Sequence, residues 1–154
     1  MTGLPSQPRL FRPNDPVKQG ELIEALYRMA GSPTIIGSNG SALYGREAAQ
    51  QWVMSNGITP IAGAYNLDGA ITRQDVVFML YGLTGALNKH LTPIRAAPNF
   101  ADGWQISEAA RVAVTELYRA GIINGTAQGT FVPLANMSRA ECAMLLQLFS
   151  QALQ

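Results

Sequence analysis

The stretch Phe131-Val132-Pro133-Leu134-Ala135-Asn136-Met137-Ser138-Arg139-Ala140-Glu141-Cys142 decides the fold, because its skeleton occurs three times in the chain. An aromatic residue stands six positions before an apolar residue that opens a helical pattern: Phe11 before Val17, Tyr65 before Ile71, and Phe131 before Met137. Aligning the blocks on Val17, Ile71 and Met137 brings an acid into one column (Glu21, Asp75, Glu141) and a leucine into another (Leu26, Leu80, Leu146). Met29, Leu83 and Phe149 share a third, and Tyr27 pairs with Tyr81. The opening residues lie 54 (17 to 71) and 66 (71 to 137) positions apart, a period too long for one helix or hairpin. Each unit therefore holds about two helices, and the units must stack to bury their apolar faces.

Apolar spacings of three and four residues place helices near 17–30, 44–56, 72–86, 107–120 and 138–152. Gly31, Gly57, Gly85 and Gly121 follow four of them and read as left-handed caps. Thr130 to Val132 offers two or three residues of extended pairing, and the Gly-, Ser- and Pro-rich stretches 32–41 and 88–99 read as connections between units. The fold expected is all-α: a pseudo-threefold bundle of helix-loop-helix repeats with short extended loop segments. Residues 1–154 form a single domain, with a partial first repeat over 1–31, a second over 38–87 and a third over 98–152.

With 47% hydrophobic and 14% charged residues, the chain has enough apolar material for a core. A net charge of +1 with no basic stripe argues against nucleic acid, and no apolar run is long enough to insert into a membrane. Met1 to Arg9 lacks the apolar stretch of a signal peptide, so export would need a signal outside this sequence. Cys142 has no partner for an internal disulfide and shares the column of Leu22 and Val76, as a small core residue does. His90 stands in a Pro-flanked connection with no second His or Cys beside it, and no nucleophile, base and acid can be singled out together. The reading is a non-enzyme that requires no cofactor.

Chemistry concentrates at the starts of three helices. Thr72-Arg73-Gln74-Asp75 and Ser138-Arg139-Ala140-Glu141 each set a hydroxyl at the N-cap and a carboxylate three residues on, the pattern of a capping box. Glu21 holds the same column in the first block. The box leaves Arg73 and Arg139 unexplained, since a cation in the first turn opposes the helix dipole. Twice in register, such an arginine calls for an anion: an internal carboxylate, or an acidic ligand gathered by the guanidinium and the helix N-terminus together. Because neither arginine serves a cap, replacing either is expected to leave the fold intact. Trp104, beside Asp102, offers a flat ring for stacking on a sugar or a cap for the core, and Trp52, in the column of Glu116, falls off the buried face with the same two readings. Asn66, Asp68, Gly69, Ile71 and Asp75 match positions of a calcium loop, but Ala64 holds the first ligand position, so a simple turn is the better reading.

Phe131-x-Pro133 followed by Met137-Ser138-Arg139-Ala140-Glu141, and preceded by Gly121-Ile122-Ile123-Asn124-Gly125 and Phe100-Ala101-Asp102, resembles the S-layer homology repeat, whose hallmark is a Thr-Arg-Ala-Glu helix start. The second block joins through Ile71-Thr72-Arg73-Gln74-Asp75, and the first through Phe11-Arg12-Pro13-Asn14-Asp15-Pro16-Val17. The resemblance implies a module that anchors exported proteins non-covalently to acidic, often pyruvylated, secondary polysaccharide of a Gram-positive-type cell wall. It assigns sugar contact to Arg73 and Arg139; Thr72, Ser138, Asp102 and Trp104, with Lys18 and Gln19, are further candidates for ligand contact. In the first block Lys18 and Gln19 stand where the hydroxyl and the arginine are expected, and the leading helix of that repeat is absent, which puts its groove in doubt and leaves a surface for self-association. The alternative function is a degenerate repeat domain serving protein interaction or oligomerisation.

Overall fold

A computed structural model describes residues 12–153, so the first aromatic marker, Phe11, lies outside the described residues. Among them run α1 (Gln19–Met29), a two-stranded antiparallel hairpin of β1 (Ile35–Ile36) and β2 (Ala42–Leu43), α2 (Gly45–Ser55), α3 (Arg73–Ala86), 3-10 turns at Gly103–Gln105 and Glu108–Ala110, α4 (Arg111–Arg119) and α5 (Arg139–Ala152). The architecture is all-α, as the periodicity requires.

The three opening residues meet in a closed ring of backbone hydrogen bonds. Val17 N–H donates to Met137 O (2.9 Å), Met137 N–H to Ile71 O (3.1 Å), and Ile71 N–H to Val17 O (3.3 Å). All three side chains are buried, so this ring marks the pseudo-threefold axis. The next layers repeat the cycle. The first helical N–H groups, on Gln19, Arg73 and Arg139, donate to Gly69 O, Ala135 O and Asp15 O at 3.0, 2.8 and 2.9 Å. Those of Gly20, Gln74 and Ala140 donate to Leu67 O, Pro133 O and Pro13 O. Each helix start thus satisfies its orphan donors on the segment that precedes the next helix in the cycle. This explains why the sequence fixes the distance from aromatic marker to helix.

Around the axis Leu22, Val76 and Cys142 are fully buried in one core, with Leu26, Leu80, Leu83 and Phe149. Leu146 is only half-buried, and Leu145 and Phe149 take the deeper places on α5. The asymmetry follows from coverage: α2 packs on α1 and α4 on α3, whereas α5 leaves Met144 66% and Leu148 38% exposed.

Several local expectations are corrected. Gly31, Gly57 and Gly121 are left-handed (φ +89°, +71° and +80°), but Gly85 lies inside α3 and the left-handed residue after that helix is Asn88 (φ +52°). No strand forms at Thr130–Val132, because the carboxylate of Asp102 accepts from both Phe131 N–H and Val132 N–H at 2.8 Å and takes the place of a partner strand. Residues 32–41 are more than a connection: Ile35 pairs with Leu43 and Ile36 with Ala42. Trp52 lies in the core, 7% exposed and 6.3 Å from the ring of Tyr27, because α2 turns that face onto α1.

Candidate functional site

A cleft runs between α5 and the turn after α4, lined by Arg73, Ile122, Ile123, Asn124, Glu141 and Met144. It brings the arginine of the second repeat against the Gly-Ile-Ile-Asn-Gly turn and helix start of the third. Arg73 Nε donates to Phe131 O (2.9 Å), Nη1 pairs with Glu141 Oε2 (2.7 Å), and the guanidinium lies 5.2 Å from the centre of the Phe131 ring. Its side chain is 16% exposed and Glu141 53%. Nη2 makes no hydrogen bond or ion pair with the described residues, which leaves one prong of the fork for a ligand.

The equivalent position in the third repeat is closed. Arg139 is 5% exposed, and its Nη1 lies 3.3 Å from Glu21 Oε2, so it ties the third repeat to the first. Gln19 occupies the same place in the first repeat, where its Oε1 accepts from Asn66 N–H (2.8 Å). The column therefore has one structural habit: each side chain reaches the backbone or acid of the next unit in the cycle. An internal carboxylate therefore engages each of the two arginines, Glu141 at Arg73 and Glu21 at Arg139. The expected contribution of the helix N-termini is not available, because the first two N–H groups of α1, α3 and α5 are bonded to carbonyls. The hydroxyls of Thr72 and Ser138 accept from Asp75 N–H and Glu141 N–H at 3.4 and 3.1 Å.

The remaining candidates scatter. The reciprocal carboxylate of a capping box appears at α1, where Lys18 N–H donates to Glu21 Oε1 (3.1 Å); Lys18 itself is exposed. Asp75 turns instead to Ile61 N–H (2.8 Å), and Asp68 to Arg46 Nη1 (3.1 Å), so two carboxylates of the calcium-like loop serve different partners. Asp102 braces the Phe131 loop rather than standing beside Trp104. Trp104 is 76% exposed and lines a separate shallow cleft with Pro98, Phe100 and Arg111.

Arg95 escaped the sequence reading. Its guanidinium stacks 3.7 Å from the centre of the Tyr118 ring and donates to Tyr118 O, Ile123 O and Asn124 Oδ1 at 2.7, 2.6 and 2.9 Å. It therefore pins the turn that forms one lip of the cleft. A lone arginine in a connecting segment, more than 20 residues from its partners, carries no local signal.

Comparison with known proteins matches these features at the third repeat. Residues 100–143 fit the model of the S-layer homology domain. Over 64 residues, 42% of this chain, the sequence is 41% identical to the surface-layer 125 kDa protein of Lysinibacillus sphaericus, 5% of whose length is covered. The match takes in Asp102, the Gly121–Gly125 turn, the Phe131 loop and the start of α5. Residues 100–143, within the third repeat, are thus similar to the S-layer homology domain, and the chain spans only a small part of the length of the surface-layer relative it matches.

Proposed function

We propose that this chain is a non-enzymatic cell-surface anchoring module that binds acidic, pyruvylated secondary cell-wall polysaccharide in the cleft between α5 and Ile122–Asn124. The observation that carries the reading is Arg73: a guanidinium held on two sides by Phe131 O and Glu141, with Nη2 uncommitted, in a cleft built from the domain's own signature residues. A carboxylate of the sugar would bind the fork and share Nη1 with Glu141, while Met144 and Leu148 offer an apolar wall to the ring. The setting is extracellular, at the wall of a Gram-positive-type bacterium. Arg139 is assigned to holding the first and third repeats together, and one working groove is expected. A pull-down with purified wall polysaccharide, with and without its acidic substituents, tests the reading. Retention of the acidic form alone is the expected result, and equal retention of both forms, or retention of neither, contradicts it.

One observation favours a second reading, a protein interaction or oligomerisation module. Both motif arginines already hold internal acids, and α5 exposes Met144 and Leu148. Sedimentation at increasing concentration separates the two: a dimer abolished by Met144→Glu, with no polysaccharide retention, favours self-association.

A further inference from the structure

We infer that a second subsite for a carboxylate-bearing pyranose lies between the C-terminal half of α1 and the β1–β2 hairpin, with Arg28 as its cation and Tyr44 as its stacking face. The inference rests on the polysaccharide reading above but concerns residues outside the matched repeat. The cleft measures about 410 Å3 and is lined by Glu24, Tyr27, Arg28, Thr34, Leu43 and Tyr44, a size within the range of small-ligand clefts.

Among the described residues Arg12, Arg46, Arg73, Arg119 and Arg139 pair with acids. Arg95 and Arg111 donate to carbonyls. Arg28 does neither, and it is exposed. Its natural helical partner, Glu24 one turn earlier, is drawn away to Arg46 Nε at 3.3 Å. An incoming carboxylate therefore meets a guanidinium with its whole fork on offer and shares it with no internal acid, unlike at Arg73. Glu24 is already compensated by Arg46, which reduces its repulsion of an anion. Tyr44, 80% exposed, presents a ring at the same cleft, and an aromatic face beside a cation suits a sugar ring carrying an acid.

The walls are preformed, which lowers the entropic cost of binding. Tyr27 Oη donates to Pro33 O and ties α1 to the segment before the hairpin, whose two strands are held together by the Ile35–Leu43 and Ile36–Ala42 pairs. Pseudo-symmetry places Arg28 in the column of Leu148, which lines the cleft at Arg73. The two subsites therefore use corresponding positions of α1 and α5, and they present two points of attachment to one polymer.

The carboxylate could belong to a pyruvate ketal or to a uronic acid, and two probes separate them. Short pyruvylated wall-polysaccharide fragments and glucuronic-acid oligosaccharides are titrated into the wild-type chain and into Arg28→Ala, Tyr44→Ala, Arg73→Ala and Arg28→Ala/Arg73→Ala. The expected result is two sites in the wild type, one lost in each arginine variant and both in the double variant. Affinity at the α1 cleft should fall roughly ten- to a hundred-fold in Arg28→Ala, with partial recovery in Arg28→Lys. Binding of either probe there supports the inference and names the source of the acid. A single site abolished by Arg73→Ala and untouched by Arg28→Ala and Tyr44→Ala overturns the inference and leaves the main cleft standing. A single site abolished by Arg28→Ala alone does the reverse. No binding of either probe to the wild type overturns both.

Discussion

Arg73 and Glu141 belong to successive helix starts of the same motif and meet across the repeat boundary at 2.7 Å. Arg139 and Glu21 make the same contact at 3.3 Å one step round the axis. The motif's arginine and acid are thus complementary halves of an inter-repeat clasp, donated by one unit and accepted by the next. The third clasp is missing because Gln19 replaces the arginine and Asp75 turns to Ile61.

The clasp changes what is expected of Arg139→Ala. The sequence alone suggested that the fold would be indifferent to this change, but removing a 5% exposed arginine takes the charged partner from Glu21, a part-buried carboxylate left with only the Lys18 N–H. The expected cost is about 3–5 kcal/mol, read as a lower urea midpoint. A loss under about 1 kcal/mol would show that the pair is solvated.

Leu80→Ala should cost about 2–5 kcal/mol, because its side chain is fully buried beside the threefold axis. Leu146→Ala should cost less, since that leucine only borders the core. Equal losses from the two would contradict the asymmetry of α5.

The shared columns were legible in the sequence because side chains near the axis must be apolar in every repeat. The ring of Val17, Ile71 and Met137 bonds was not, since backbone groups make it and any small set of apolar residues would permit it. The candidate cleft was legible in part: Arg73 was singled out by its register, while its contact with Glu141 depends on how the units rotate about the axis. Arg95 and Arg28 were invisible, because their meaning lies in the partner one has across 23 residues and the other lacks. Trp52 was placed off the core because its column partner is Glu116, and tertiary packing of α2 on Tyr27 overrode the alignment.

Cys142 supplies a pH test. Burial, reinforced by Glu21, pushes its thiol up to about 12. The thiol is neutral in both states below about pH 8.5, its ordinary value, so its contribution to stability is full there. From that pH to about 12 the unfolded thiol ionises first, and stability falls by up to about 1.4 kcal/mol per pH unit. Wild-type urea midpoints should therefore drop faster than those of Cys142→Ala between pH 9 and 11. Parallel curves would contradict the burial. The native thiol should also resist maleimide until denaturant is added.

Calcium should leave the melting temperature unchanged, since Asp68 serves Arg46 and Asp75 serves Ile61. A calcium-dependent rise removed by Asp68→Ala would overturn that assignment.

In the proposed function Arg73 binds the acid of a wall polysaccharide as well as clasping Glu141. Titrating pyruvylated polysaccharide into wild type, Arg73→Ala and Arg73→Lys, with melting temperatures on the same samples, tests it most directly. Alanine should lower affinity roughly ten- to a hundred-fold, from a charge-assisted contact of about 1.5–3 kcal/mol. Lysine should restore only part, because an ammonium lacks the fork. A lower melting temperature with unchanged affinity in Arg73→Ala would make the arginine a clasp alone and contradict the claim.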